Sequence, residues 1–331
     1  MNRQAPATAI RAGWFEARRI SPLGQGLVND TLLVEADRGR FVLQRVNAAV
    51  FPDPWGIIEK VGRVVAFLER RAPGRVPRLE PTRDGAWGWR DEAGGVWRLW
   101  HYVEHARTLQ SLENVAQARA AGQAFGELQS LLRALDSDVP DPIPGFLQLD
   151  HYLEELDAAV QAAANLTADL ERWVAVVDQR RDLASVFVER DRLIHGDCKV
   201  NNLLFRADED AVARILDLDT VMWGHWAWDF GDLVRSAAAD GGDFSPQRFL
   251  ALVEGFLPAA GIEADPDSLL LAPRYVALML GVRFLTDHLR GDRYFRVTAR
   301  GDNLQRAEEQ FQLLERMEER ETELRLRLER R

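Results

Sequence analysis

The chain has one cysteine, Cys198, so no intrachain disulfide can form and secretion gains no support. Basic residues are in deficit: Lys and Arg number 42 against 52 Asp and Glu, a net charge of -10. Nucleic acid or an anionic membrane would want a basic face, so neither is expected as a partner. Long apolar runs are lacking as well. The N-terminus MNRQAPATAIRAGWFEARRI carries no apolar leader, and no stretch reaches the roughly 18 apolar residues of a membrane span. No internal repeat or low-complexity linker is evident. These absences leave a cytoplasmic enzyme as the expectation. What remains is 331 residues, 47% hydrophobic and 28% charged, enough for a sizeable core in one large or two coupled domains.

The first hundred residues read as strands and turns. Leu27 to Val34 and Arg40 to Val46 are short β-prone runs separated by the turn-forming Ala36-Asp37-Arg38-Gly39. Ile57, Ile58, Val61, Val64, Val65 and Leu68 recur at helical spacing, which predicts an amphipathic helix over 57–70. Gly85 to Trp89 and Val96 to Tyr102 are further strand candidates. Beyond His101 helices dominate: 112–135, 146–163, 166–188 and the charged C-terminal stretch, read as a solvated surface helix. The expected fold is α+β with two lobes in the manner of a protein kinase: a small β-rich N-lobe over 1–102 and a large helical C-lobe over 103–331. The seam falls near Trp100 to Glu104.

Chemistry concentrates in Leu193-Ile-His-Gly-Asp-Cys-Lys-Val-Asn-Asn-Leu-Leu-Phe205. An apolar strand delivers Asp197 into a tight turn, and Asn202 follows five residues later, the Asp-to-Asn spacing of a kinase catalytic loop. Phosphoryl transfer needs a carboxylate beside the attacking hydroxyl and oxygen ligands for magnesium, which Asp197 and Asn202 supply. In Arg214-Ile-Leu-Asp-Leu-Asp-Thr220, alternation along an extended strand would set Asp217 and Asp219 on one side as further magnesium ligands. Lys199 is placed to neutralise γ-phosphate charge. His195 is expected to brace the turn, Asp229 and Asp232 to cap and brace, and Cys198 to pack as a small residue. Upstream, Leu23-Gly-Gln-Gly-Leu-Val-Asn-Asp-Thr31 is a turn whose Gly24 and Gly26 admit a phosphate closely, with Asn29 and Thr31 beside it. This turn would cover ATP, with the adenine against the hinge strand that carries Trp100 and Tyr102.

Taken together these residues resemble the aminoglycoside phosphotransferase and choline kinase superfamily, whose HGDxxxxN motif is met by His195 to Asn202. Four stretches are similar to its N-acetylhexosamine 1-kinase group: Gly26-Leu-Val-Asn-Asp-Thr31, Leu43-Gln-Arg-Val-Asn47 with Val50-Phe51, Leu216-Asp-Leu-Asp-Thr-Val-Met222, and 281–296, GVRFLTDHLRGDRYFR. The resemblance implies transfer of phosphate from ATP, with magnesium, to the anomeric hydroxyl of an amino sugar. It implies that Asp197 takes or orients that proton, that Arg283 and Tyr294 contact the sugar, and that Asp287 lies nearby. One departure stands out. Gln44 occupies the place of the third-strand lysine that holds the nucleotide phosphates, so Glu59, the usual partner of that lysine, lacks its counterpart, and Lys60 stands where Asn is expected. Another alcohol (an aminoglycoside, choline, homoserine or a different sugar) and a catalytically silent nucleotide binder are the alternatives. Oligomeric state is left open.

Overall fold

Side chains alternate across a strand, so the early strands make a sheet with two unlike faces. In the computed structural model, which describes residues 4–24, 28–135, 138–163, 165–240 and 243–330, that sheet follows a short helix, α1 (Gln4–Gly13). Its strands are β1 (Arg19–Pro22), β2 (Asp30–Ala36), β3 (Gly39–Arg45), β4 (Trp89–Arg90) and β5 (Val96–His101), in the antiparallel order β1-β2-β3-β5-β4. One face buries Leu32, Val34, Phe41, Leu43, Trp97 and Leu99 against Ala9, Ile10 and Trp14 at α1. The other face carries a polar row. Thr31 pairs with Gln44 and Gln44 with Arg98 in the strand register, so these three lie side by side.

Between β3 and β4 runs α2 (Pro54–Arg71), started by Asp53, whose carboxylate accepts from the Gly56 amide at 3.0 Å. Its expected apolar stripe is buried: Ile57, Ile58, Val61, Val64, Val65 and Leu68. After β6 (Ala106–Thr108) come α3 (Val115–Leu132), α4 (Leu149–Ala162) and α5 (Ala168–Asp178). Then follow β7 (Arg192–Ile194), β8 (Leu203–Arg206), β9 (Val212–Ile215) and β10 (Met222–Gly224). Strands β6, β8 and β9 form one small sheet, while β7 and β10 pair as another. The rest is α6 (Trp226–Ala237), the short pair β11 (Ala239–Asp240) and β12 (Asp243–Phe244), α7 (Pro246–Ala260), α8 (Pro266–Leu289), α9 (Asp302–Glu319) and α10 (Glu321–Glu329). The expected α+β mixture, sheet first and helices after, is observed.

Three expectations are corrected. Helix α1 has no counterpart among the expected elements; its apolar residues make sense only against the sheet. The helix expected over 166–188 ends at Asp178 and gives way to a 3-10 turn over Arg181–Ser185. The C-terminal stretch is no solvated helix: α9 buries Ala307, Phe311, Leu314 and Met317, against α8 and its neighbours. Burial of a residue such as Phe311 contributes roughly 3 kcal/mol, which its dense flanking charge conceals. By length and composition α8 could cross a membrane, but 72% of that window is buried inside the fold, as suits a core helix.

Candidate active site

The catalytic-loop candidate sits where β7 ends. Gly196 holds φ +80, and a Cβ there would lie 2.6 Å from the Thr220 carbonyl oxygen, so only glycine fits between this turn and the 218–220 segment. The turn is fixed from behind by Asp229 on α6. Its Oδ2 accepts from the His195 amide at 2.8 Å and the Gln129 amide group at 2.9 Å, and its Oδ1 accepts from the Gly196 amide at 2.8 Å. His195, fully buried, joins the turn to the other strand: Nε2 lies 2.8 Å from the Leu216 carbonyl and Nδ1 accepts from the Asp197 amide. Both residues brace, as their positions suggest. Cys198 is buried, and burial pushes its thiol well above the ordinary range, so it packs rather than reacts.

Asp197 presents its carboxylate asymmetrically. Oδ2 accepts from Lys199 Nζ at 2.6 Å and Asn202 Nδ2 at 2.8 Å, whereas Oδ1 has no donor among the described residues. Burial works to raise this carboxyl, but the Lys199 ammonium, by charge and hydrogen bond, overcomes it and holds it below the usual range. Asn202 also donates to the Asp197 carbonyl at 2.8 Å, which leaves its own carbonyl oxygen for a cation. Lys199, coupled to that carboxylate, is held above its ordinary value against the opposing effect of burial.

Asp217 adopts a left-handed conformation, φ 61 and ψ 64, and the chain then turns through a 3-10 segment over Leu218–Thr220. The extended strand expected here does not exist, so Asp217 and Asp219 part company. Asp219 is buried and receives both guanidinium nitrogens of Arg98, one at 2.9 Å, and Asn29 Nδ2 at 2.9 Å. The Asp219 carboxylate is therefore occupied by Arg98 and Asn29, and the structure does not set it beside Asp217 as a second open carboxylate. Asp217 has no hydrogen-bond or ion-pair partner among the described residues. Burial, then Asp219 and Asp197, push its carboxyl up to about 6.

The N-lobe side contains what the sequence reading missed. Gln44 bears no charge toward the site; its Oε1 accepts from Arg98 Nε at 3.0 Å and from the Trp100 indole at 2.8 Å, while Nε2 donates to Thr31 Oγ1 at 3.3 Å. Trp100 is thus buried under Gln44, and Tyr102 stacks beneath Arg40 at 4.4 Å. Glu59 is half-buried and finds no ion-pair partner among the described residues. Its neighbour Lys60, fully buried, instead donates to the carbonyls of Asp219 and Val221, each at 2.9 Å. Burial lowers this amine to about 8. A signal existed: the chain has two lysines among 42 basic residues, and both stand at this junction. An arginine inside the otherwise apolar run Val96-Trp-Arg-Leu-Trp100 was another, since a buried charge demands a partner. Gly24 is at φ +68; Gly26 lies outside the described residues.

The residues assigned to the sugar gather elsewhere. Arg283, Asp287 and Tyr294 line a cavity of about 710 Å³, and Asp197 does not line it. Arg283 sits within an aromatic box, its guanidinium carbon 4.9 Å from the Tyr152 ring, 5.3 Å from Phe295, 5.4 Å from Phe146 and 5.7 Å from Tyr294. The Tyr294 hydroxyl is 3.5 Å from Arg283 Nη2. Asp287 lines the same cavity and forms no ion pair with Arg283 among the described residues. It is buried and accepts from the amides of Arg293 and Tyr294 at 2.8 Å, Phe295 at 2.9 Å and Asn303 Nδ2 at 2.8 Å. Its work is to hold the 293–295 turn in place. A second cavity, about 530 Å³, opens beside Lys199, Val200, Asn201 and Arg235.

Comparison with known proteins gives this geometry its context. The model of the phosphotransferase enzyme family matches residues 19–267. An aminoglycoside phosphotransferase from Alicyclobacillus acidocaldarius superposes with TM-score 0.68 at 13% identity, over 98% of this chain and 96% of that one. A choline/ethanolamine kinase family protein from Mesorhizobium loti gives 0.58 at 20% identity, over 93% and 92%. An amicoumacin kinase in complex with AMP-PNP, Ca2+ and Ami gives 0.64 at 15%, over 97% and 94%. At these identities the likeness is one of fold, and that fold is kinase-like, with a small N-terminal sheet region and a larger helical part.

Proposed function

The chain belongs to the phosphotransferase enzyme family, and from that premise we propose that it transfers the γ-phosphoryl group of ATP, with magnesium, to an alcohol. The acceptor we propose is the anomeric hydroxyl of an N-acetylhexosamine, giving the sugar 1-phosphate. The observation that carries the phosphotransferase reading is the divided Asp197 carboxylate: one oxygen is held by Lys199 and Asn202, and the other is free of any described donor.

The residues fit magnesium by their chemistry. Asn202 offers a carbonyl oxygen and Asp217 a carboxylate with no hydrogen-bond or ion-pair partner among the described residues, on which Lys199 and Arg98 act only from further off. Magnesium takes few protein oxygens and fills its octahedron with water and phosphate, so this sparse set suffices. A cage of three or more His, Cys, Asp or Glu is not required, and none is arranged among the described residues. When bound, ATP and its cation supply the transferable group and neutralise its charge. The chain's own part is positioning. Asp197 Oδ1 orients the acceptor hydroxyl, and because Lys199 keeps the carboxyl below its usual range, it takes the proton late, as suits a loose transition state. His195 and Asp229 keep that oxygen in place through the backbone of the turn.

The choice of a neutral sugar over a cationic amine rests on the resemblance of 281–296 to the hexosamine kinases and is supported by the box around Arg283. Aromatic faces are what an ammonium group would seek, and here the protein's own arginine fills them. The test is ADP release from ATP and magnesium against GlcNAc, GalNAc, glucose, galactose, choline, homoserine and kanamycin. Turnover with the N-acetylhexosamines and an acid-labile phosphate in the product is the expected result. Turnover with only a cationic alcohol would retire the sugar reading and keep the catalytic one. Failure of ATP to bind would retire both.

A further inference from the structure

The third strand lacks the cation that would face nucleotide phosphates, and the fold supplies one from the next strand. Arg98 on β5 is the cross-strand neighbour of Gln44 and lies on the sheet face turned toward Asp217 and Asp219 rather than toward α1. Three groups fix its guanidinium. Gln44 Oε1 receives Nε, Asp219 receives one N–H from each terminal nitrogen, and the Trp100 ring lies 5.0 Å beneath. A guanidinium has five N–H groups, so two remain after these three bonds. Gln44 is thereby explained: an amide oxygen in the lysine's place orients the arginine, where a second cation would repel it.

Other cations nearby are committed elsewhere. Lys60 donates to the main-chain oxygens of Asp219 and Val221, and Lys199 pairs with Asp197. Asn29, which leaves the glycine-containing turn, reaches the same Asp219 oxygen as Arg98, at 2.9 Å. The turn, the sheet and the metal segment therefore meet on one buried ion pair.

We propose that Arg98 is the phosphate-neutralising cation of this protein, relocated from β3 to β5 and held by Asp219 and Gln44. The inference rests on the nucleotide-binding reading above. Removing Arg98 alone would strand a buried carboxylate and threaten the fold, so Arg98→Met is paired with Asp219→Asn. Binding of adenosine, ADP and ATP to the full chain, with magnesium and without acceptor, is measured by calorimetry. Thermal unfolding runs alongside. The double variant removes one positive and one negative charge, so the net charge is unchanged and what is lost is the arginine's two remaining N–H donors; ATP and ADP should weaken by about tenfold or more while adenosine stays within about threefold. A second variant, Gln44→Lys with Arg98→Met, returns a cation to the third strand opposite Asp219 and should recover most of the ATP affinity. Equal weakening of adenosine and ATP would make Arg98 a mere strut between lobes and overturn the inference, as would unchanged ATP affinity. Wild-type protein that binds no ATP would instead strike the nucleotide reading itself.

Discussion

Replacing Gly196 by alanine tests the site with a perturbation of one carbon. The new Cβ would stand 2.6 Å from the Thr220 carbonyl oxygen and 3.2 Å from Thr220 Cβ. Carbon-to-oxygen approaches normally stop at about 3.3 Å, so several tenths of an ångström must come from movement. The 218–220 segment resists, because Arg98 and Asn29 hold the Asp219 side chain and Lys60 holds its carbonyl. Two terms add. Placing an alanine at φ +80 costs about 1–2 kcal/mol, and overpacking against a fixed backbone about 1–3 kcal/mol. The sum is roughly 2–5 kcal/mol, or a fall in Tm of about 3–7 °C for a chain of this size.

A control separates the two terms. Gly261 ends α7 at φ 61 and ψ 44, and a methyl group added there would have nothing within 4 Å, so Gly261→Ala should cost only the conformational part, about 1 kcal/mol. Urea unfolding followed by circular dichroism reads both variants. Gly196→Ala should exceed the control by at least about 1 kcal/mol, and its turnover should fall as the Thr220 segment moves away from Asp197. Equal destabilisation of the two variants would refute the close approach and with it the account of why glycine precedes the aspartate.

Asp197→Asn turns an acceptor toward Lys199 and Asn202 but can set an N–H donor against the acceptor hydroxyl; kcat should drop roughly 10²–10⁴-fold with ATP affinity within about threefold. Steady-state kinetics and calorimetry decide, and retained turnover would sink the role. Lys60, whose folded-state value is lowered to about 8 from 10.5, binds fewer protons when folded than when unfolded between those pH values. Its contribution to stability therefore rises with pH across that window, by at most about 3 kcal/mol, and is flat below it, where the cost of burying the ammonium is at its full value. Wild type should gain on Lys60→Met from pH 8 to 10 in chemical unfolding; a flat difference would contradict the burial argument. Asp287→Ala deprives three backbone amides and Asn303 of their acceptor, so hydrogen exchange over 293–295 should quicken about tenfold or more. Unchanged exchange there would overturn the role of Asp287 as the brace of the 293–295 turn.

Local spacing made much of this legible. Asp197 and Asn202 sit in one continuous loop, the stripe of α2 repeats at helical period, and the β2–β3 turn announces itself in four residues. What escaped depends on partners far away in the chain. Arg98 and Asp219 are 121 residues apart, and nothing adjacent to either reveals the pair. Asp219 eludes a reading by strand alternation because the backbone turns left-handed at Asp217, where alternation would have to continue. Asp287 misleads for the opposite reason: its helical neighbour Arg283 is four residues away, but the donors that claim it come from the turn beyond the helix. Buried α9 hides behind its charges, which cover the outer face of a helix whose inner face packs against α8.

The acids of the site differ in how far protein groups already satisfy them. Asp229 is satisfied by two backbone amides and Gln129, Asp219 by Arg98 and Asn29, Asp197 by Lys199 and Asn202, and Asp232 by Arg235 at 2.7 Å. Of these five acids only Asp217 lacks a donor among the described residues, and its left-handed backbone is the strained conformation that points it away from the strand register. A carboxylate with two carboxylate neighbours and no partner is costly to ionise, which is why its proton is held up to about 6. Asp219, Asp197 and Asp232 are charge-paired and Asp229 is held by neutral amide donors, so on the function proposed above a divalent cation would meet one open carboxylate and the Asn202 carbonyl rather than a competing cage. Pairing across the rest of the site thus leaves Asp217 open, and the arginine proposed above as the phosphate-side cation is the same group that occupies the Asp219 carboxylate.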